Sequence, residues 1–135
     1  MAVDGITTSL DEWPVVVHTT VGIPSEQDVR AFVERADALL LRRERHVVVF
    51  DNSQAGRVPS YLRDASTEWL ARNRDALERH CAGSALVLRS PALRFVMSTV
   101  LLVSSHAVIK EVFGTREEAM AWARRTLAQQ KTASG

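Results

Sequence analysis

Short runs of apolar residues alternate along this chain with stretches that repeat at helical spacing, and this alternation limits the possible folds more than any other feature. The apolar runs are VVVHTT from Val15, VVVF from Val47, ALVL from Ala85 and AVIKEVF from Ala107. Two of them are apolar at successive positions, which is typical of strands covered on both faces. Strands that alternate with helices predict a mostly parallel sheet with right-handed crossovers.

An additional edge strand and four helices complete the predicted α/β fold. Residues Gly5 to Leu10 alternate in polarity and precede a short acidic pair, so they predict a strand that forms an antiparallel hairpin with the strand from Val15. The helices are expected after Ser25, Pro59, Pro91 and Thr115, where capping residues or prolines precede apolar residues at helical spacing. The second is predicted as one long helix with a buried stripe of Leu62, Ala65, Trp69, Ala76, Leu77 and His80. The prediction is therefore a five-stranded, mostly parallel sheet with four helices.

The length of 135 residues fits one domain, which we place at 1–130, and the polar end at 131–135 is predicted to be a flexible tail. Hydrophobic content of 46% and charged content of 24% are those of an average globular protein. A net charge of +1 gives no basic surface of the kind that binds nucleic acid, so no nucleic-acid partner is expected. These values exclude disordered, fibrous and coiled-coil classes.

The chain also shows no sign of export or membrane insertion. Its start lacks the basic and apolar regions of a signal peptide, and the lone Cys81 has no partner for an internal disulfide. The most apolar window, FVMSTVLLV, is much shorter than the roughly 20 residues that cross a bilayer. We therefore predict a cytoplasmic protein without a membrane span.

A polar tip follows the strand VVVF and is the first candidate site. Asp51, Asn52 and Ser53 come directly after the strand, and Arg57 and Ser60 lie between them and the next helix. Loops and helix starts converge at the carboxyl ends of parallel strands, which makes this edge a natural docking surface. We expect it to bind a protein partner.

Catalysis is the weaker interpretation of the same tip. No Gly-x-Ser-x-Gly elbow or Gly-rich phosphate loop is present, and the four histidines lack metal-ligand spacing. We therefore predict no catalytic residues, no metal and no cofactor. An enzyme that uses Asp51 and Ser53 remains an alternative.

The third helical stretch is a second candidate site because its apolar residues point in all directions around the helix. Such a helix must be covered on more than one face. A second copy of the chain, a bound apolar ligand, or burial under the last strand and loop could each provide that cover. The candidate residues are Leu93, Phe95, Val96, Met97, Val100 and Leu101.

Three segments carry a resemblance to a known family: VVVFDNS, AGSALVLRS and the closing EVFGTREEAMAWARRTL. Together with the order of the elements, they resemble the bacterial STAS-like family related to anti-sigma-factor antagonists, over nearly the whole chain from Ile6 to Leu127. The resemblance implies a sequential β-α superhelix and a non-enzymatic regulator that binds protein partners. The same architecture occurs in lipid carriers of the CRAL-TRIO type, which implies a hydrophobic ligand as the alternative.

The resemblance also implies a phosphoserine switch. In the family, a strand ends in Asp-x-Ser, and a Ser at the start of the next helix accepts phosphate within Asp-Ser-Ser/Thr-Gly. Asp51, Asn52 and Ser53 match the first part, and counting nine residues on from Asp51 reaches Ser60. The surrounding motif is not kept, because the Asp, Ser/Thr and Gly positions hold Pro59, Tyr61 and Leu62. The alternative is that Ser60 is an ordinary helix N-cap and Ser53 an ordinary turn residue.

The sequence therefore predicts a regulatory or scaffolding module, not an enzyme, that acts through the edge from Asp51 to Ser60 and forms a homodimer. The alternative is a carrier or sensor of a lipid-like ligand held mainly by residues 93–103.

Overall fold

The computed structural model describes the backbone of residues 3–103 and 109–134, and the side chains of residues 3–100 and 109–129. This part of the chain contains five strands and five helices. The strands are β1 (Gly5–Glu12), β2 (Val15–Gly22), β3 (His46–Ala55), β4 (Cys81–Val87) and β5 (Ile109–Phe113). The helices are α1 (Glu26–Leu41), α2 (Ser60–Arg72), α3 (Arg74–His80), α4 (Pro91–Val103) and α5 (Arg116–Ser134).

The strands form one sheet in the order β1-β2-β3-β4-β5, so every strand lies beside the strand that precedes it in sequence. β1 and β2 pair antiparallel, and all later pairs are parallel. The predicted α/β class, the mostly parallel sheet and the antiparallel edge hairpin are confirmed.

The two faces of the sheet have separate cores because side chains alternate along each strand. On one face, Val17, Val49 and Val87 pack with Ala119 and Met120 of α5. On the other face, Val16 and Val48 pack with Leu39 of α1. The successive valines of β2 and β3 therefore serve both layers, as the unbroken apolar runs predicted.

The prediction of four helices is wrong, because the expected long second helix is two helices. Asn73 separates α2 from α3 with φ −112° and ψ 15°, outside the helical region. Its amide side chain and its backbone N–H both donate to Trp69 O, which ends α2, and its carbonyl accepts from Leu77 N, which begins α3. The apolar spacing continues across this break, so periodicity alone did not reveal it.

β3 is also longer than predicted. The strand was expected to end at Phe50, but it continues to Ala55 through the polar tip. Its register with β2 shifts after the pair Thr19↔Asp51 and resumes at Val21↔Gln54, while its register with β4 ends at Asp51↔Val87. The tip is therefore a strand extension held by β2 on one side only.

The remaining predictions concern the domain boundaries, a membrane span and two residues of the candidate elements. The division into a domain at 1–130 and a tail at 131–135 stays a prediction. No helix in the described part is long and apolar enough to cross a membrane. The start of the last predicted strand, Ala107, and the side chain of Leu101 lie outside the described residues.

Candidate functional site

Asp51 is a buried carboxylate at the carboxyl edge of the sheet, with 4% of its surface exposed. Ser53 donates to Asp51 Oδ1 twice, from its backbone N–H at 3.0 Å and from its hydroxyl at 2.6 Å. Arg116 Nε donates to the other oxygen, Oδ2, at 2.8 Å. Both carboxylate oxygens are therefore occupied by donors from β3 itself and from the start of α5.

Arg116 also ties the edge together across three elements. Its Nη2 donates to Thr19 Oγ1 on β2 at 2.8 Å. Because Thr19 is the register partner of Asp51, one guanidinium joins β2 and β3 to the first residue of α5. The arginine side chain remains 47% exposed, whereas that of Asp51 is 6% exposed.

The pKa of Asp51 is lowered from its ordinary value. Burial acts in the opposite direction and is the largest influence, but it is outweighed by the two hydrogen bonds from Ser53 together with the hydrogen bond and positive charge of Arg116. The carboxylate is therefore held ionised, as expected for a fixed acceptor of hydrogen bonds.

Ser53 and Ser60 have different surroundings from those expected. Ser53 is not a turn residue: it lies within β3, and its hydroxyl is engaged with Asp51. Ser60 is not the N-cap of α2, because Pro59 occupies that position and provides no side-chain hydrogen bond. Ser60 is the first helical residue and is exposed, as is Arg57.

A groove of ≈ 390 Å³ lies beside the β3 extension. The structure thus brings Asn52 and Ser53 together with a second segment, the turn from β4 into α4. Arg57 and Ser60 do not line it but flank its Val58 wall in sequence. The lining residues are Asn52, Ser53, Gln54, Ala55, Gly56, Val58, Leu88, Arg89, Ser90 and Leu93.

His18 is held in a packed interior position. Its Nδ1 lies 2.9 Å from Thr8 Oγ1, which also accepts from Arg35 Nε at 2.9 Å, and its ring packs edge-on against Phe32. Burial, with the charges of Arg35 and His46, lowers the pKa of His18 to about 4.

His46 and Cys81 are similarly engaged. His46 Nδ1 lies 2.9 Å from the carbonyl of Glu44, and burial lowers the pKa of His46 most, although that hydrogen bond opposes the shift. Burial raises the pKa of the Cys81 thiol, so its reactive thiolate form is disfavoured. No three His, Cys, Asp or Glu side chains among the described residues are grouped so that they could hold a metal ion.

The apolar third helix of the prediction is α4, and its described side chains are largely exposed in the single chain. Leu93 is 55% exposed, Phe95 75%, Val96 54% and Val100 47%, and Met97 is half-buried. The helix contacts β5. Burial within the chain therefore does not account for these four residues.

The fold is shared with several solved structures. An uncharacterized protein of the DUF3478 family with a SpoIIAA-like fold, from Shewanella loihica PV-4, aligns with TM-score 0.69 and 11% identity over 91% of this chain and 97% of that one. The anti-sigma factor antagonist SpoIIAA in its unphosphorylated form aligns with TM-score 0.63 and 14% identity over 89% and 98%. An anti-sigma factor antagonist from Mycobacterium paratuberculosis aligns with TM-score 0.56 and 22% identity over 91% and 97%.

These likenesses establish the class of structure: the chain has the SpoIIAA-like fold, and the predicted STAS-like architecture is confirmed. No protein-family model matches the chain, and no curated protein matches it.

Sequence reasoning missed three residues of this edge: Thr19, Arg89 and Arg116. Arg116 had an available signal, because it begins the last helix directly after a parallel strand and so belongs at the same carboxyl edge as Asp51. No sequence signal indicated the register of β2 against β3, which places Thr19 beside Asp51.

Proposed function

We propose that this chain is a non-enzymatic regulatory or scaffolding module that binds a protein partner through the edge from Asp51 to Ser60. The observation that carries the proposal is the division of this edge into a fixed interior and an exposed exterior. The carboxylate of Asp51 is fully engaged by Ser53 and Arg116, while Arg57 and Ser60 face solvent next to a groove. The SpoIIAA-like fold, found in two solved anti-sigma factor antagonists, supports the same conclusion.

The engagement of these groups favours binding over catalysis. A serine nucleophile needs a base within hydrogen-bond reach. Ser53 Oγ donates to Asp51, but the lowered pKa of that carboxylate makes it a weak base, and neither His18 nor His46 hydrogen-bonds to Ser53. The tip therefore resembles a structural network more than the start of a catalytic triad.

Ser60 is the best candidate for a phosphorylation switch on this edge. It is exposed in the first turn of α2, a turn with no acidic residue, and Pro59 provides no side-chain acceptor for the helix amides. A phosphoryl group there would be stabilised by the helix N-terminus and would change the charge presented to a partner. Intact mass of the chain from its native cells should show an addition of about 80 Da that Ser60→Ala abolishes and Ser53→Ala retains.

Site-specific photo-crosslinking tests the binding proposal. A photoreactive benzoylphenylalanine at the Arg57 position, expressed in the native cells, should give a covalent adduct with a second protein. The matched control places the same residue at the Arg125 position, which is exposed on α5. Equal adducts at both positions, or none at Arg57, would contradict a partner-binding edge here.

The exposed apolar surface of α4 favours a second role for that helix. Contiguous exposed apolar residues mark interaction sites, and a symmetric dimer is the commonest way for a soluble chain to cover them. We propose that α4 mediates homodimerisation, with a lipid-like ligand as the alternative cover. Native mass spectrometry separates the two, since a dimer gives twice the chain mass and a ligand gives extra mass that is lost on denaturation.

A further inference from the structure

The β3 extension presents a strand edge without a partner. The ladder between β3 and β4 ends at Asp51↔Val87, where β4 turns away toward α4, but β3 continues through Asn52–Ala55. No described residue forms a ladder with this stretch on the β4 side. Ser53 N–H already donates to Asp51 Oδ1, and the remaining backbone groups of the stretch that face this side have no ladder partner and can pair with an added strand.

The same stretch is held in an extended form from the other side. Gln54 and Ala55 pair with Val21 and Gly22 of β2, and Gly56 N donates to Gly22 O at 2.8 Å. Gly22 adopts φ +61°, a left-handed conformation in which glycine is favoured, so this closing contact suits glycine. Because β2 already holds the backbone of the extension, an incoming strand meets a preformed edge, which lowers the entropic cost of binding.

The groove of ≈ 390 Å³ occupies the space that a longer β4 would fill. The β3 extension forms one wall, and Leu88, Ser90 and Leu93 belong to the opposite wall. Two of the apolar lining residues are accessible to a ligand, since Val58 is 47% exposed and Leu93 is 55% exposed. The groove thus combines a polar strand edge with an apolar surface large enough for a side chain.

The charge of the groove is one-sided. Arg89 is the single charged residue among those that line it, and exposed Arg57 adjoins it between Gly56 and Val58. The nearby carboxylate of Asp51 is already paired with Arg116. The groove is therefore complementary to an acidic ligand, and the starts of α2 and α4 beside it add positive partial charge.

We propose that this groove binds an extended acidic segment of a protein partner, which pairs with Asn52–Ala55 as an added strand. The segment directs an apolar side chain toward Val58 and Leu93 and a carboxylate toward Arg89. A stretch that covers the β3 extension spans about 13 Å, or roughly four residues. The inference rests on the proposed function, since it specifies the chemistry of the partner at the same edge.

A display library of random linear peptides of about twelve residues, selected on the purified full chain, tests this inference. The enriched peptides should alternate acidic and apolar residues. Their affinity should fall by about fivefold or more in Arg89→Glu and stay unchanged in Arg125→Glu, an exposed charge reversal on α5. Amide NMR shifts on binding should be largest at Asn52–Ala55 and Leu88–Leu93.

Backbone pairing has its own control. N-methylation of alternate amides in a selected peptide keeps every side chain but removes donors and adds bulk at one strand edge. Binding should fall by about tenfold or more for one of the two alternating methylation patterns and much less for the other, because only one edge of the peptide faces β3.

Several results would overturn the inference. These are no enriched peptide, enrichment of basic peptides, binding that survives Arg89→Glu, or equal tolerance of both methylation patterns. None of them removes the proposed function, because a photo-crosslinked adduct at Arg57 would still show a protein partner that contacts this edge without adding a strand to it. A missing adduct together with selected acidic peptides would have the opposite meaning, that the groove binds peptides but no partner engages this edge in the cell.

Discussion

The helices α4 and α5 follow the last two parallel strands, yet they relate to the sheet in opposite ways. α5 buries Ala119, Met120 and Ala123 against a core formed by three strands, with exposures of 0%, 6% and 0%. α4 is the more apolar helix by sequence, but it contacts β5 and leaves Phe95 75% exposed. Hydrophobicity therefore did not determine which helix is buried. Ala119 and Ala123 are small enough to let α5 lie close to the sheet, whereas the large apolar side chains described on α4 are largely exposed.

The contrast separates stability from interaction. Apolar area removed from water stabilises by about 25 cal/mol per Å², so the side chains of α5 contribute to the folded single chain. The exposed side chains of α4 gain this contribution only when something else covers them. Substitutions on the two helices should therefore affect different measurements.

The largest expected effect is the removal of a core side chain from α5. Met120→Ala should lower the free energy of unfolding by about 3 kcal/mol, because it removes buried methylene groups and leaves a cavity. Met97→Ala on α4 is the matched change, and its loss should stay below about 1 kcal/mol since this side chain is only half-buried. Urea unfolding of both variants measures the difference, and equal losses would mean that the two helices contribute equally to the stability of the single chain.

The next largest effect is a loss of stability in acid, and it comes from His18, which packs against α1 and, among the described residues, not against α4 or α5. The folded pKa of His18, about 4, lies below its unfolded value of about 6.5, so the unfolded chain takes up a proton first as pH falls. The stabilisation is complete above about pH 6.5 and is lost as pH falls toward 4, which amounts to about 2 kcal/mol between pH 7 and pH 5. Urea unfolding at both pH values measures this loss.

His18→Gln provides the control for that prediction. The lowered pKa of His46 contributes in the same direction, so the difference between wild type and variant isolates His18. A pH dependence that is unchanged in the variant would mean that His18 is not held neutral by the packing of α1.

Removing an arginine near the start of α5 or of α4 should destabilise the chain by amounts that differ less than those of the methionine variants. Arg116→Ala should destabilise by about 1–2 kcal/mol at pH 7, because it leaves the buried Asp51 carboxylate with Ser53 alone. Arg94→Ala removes bonds to two carbonyls, Leu88 O and Arg89 O, and should lose about 1 kcal/mol or less. Denaturant titration of both variants measures the two losses.

The ion pair also has a characteristic pH window. The folded pKa of Asp51 is lowered, so its contribution is present above the unfolded value of about 3.9 and is lost as pH falls through the folded value. The difference in free energy of unfolding between wild type and Arg116→Ala should therefore become smaller below about pH 4. If this difference in free energy persists in acid, its cause is the packing of the Arg116 side chain and not the ion pair.

The smallest effect on stability should come from the exposed face of α4. Phe95→Glu should change the free energy of unfolding of the single chain, measured at a concentration where the wild type is monomeric, by less than about 0.5 kcal/mol. At higher concentration it should convert a dimer to a monomer, because two like charges would meet at a twofold interface. Ala71→Glu, on the exposed face of α2, is the control. Native mass measures assembly, and a dimer that survives Phe95→Glu would exclude this face as the interface.

The fold was predictable where one physical signal dominated. The triple valines of β2 and β3 identified strands covered on both faces, and the Ser25–Asp28 capping box identified the start of α1. The division of the second helix was not predictable from spacing, because Leu77 continues the apolar period beyond Asn73. A polar side chain that ends one helix and begins the next leaves no trace in a hydrophobic pattern.

The candidate site was predictable only in part. Asp, Asn and Ser in succession are typical of a turn, so the extension of β3 through Ser53 was missed, and it depends on pairing with β2. Asp51 was identified from its place after a strand, but Arg116 lies 65 residues away, and only the assembled sheet brings the two together. The groove depends on where β4 ends relative to β3, a difference in strand length that no local signal encodes.

The strand order has a consequence for how the chain folds during synthesis. Each strand can join its neighbour as soon as it leaves the ribosome, because neighbours in the sheet are neighbours in sequence. The valine-rich face that α5 covers, however, stays bare until α5 itself appears. The nascent protein therefore carries a nearly complete sheet with one unprotected side, and its most aggregation-prone interval falls just before synthesis of the last helix.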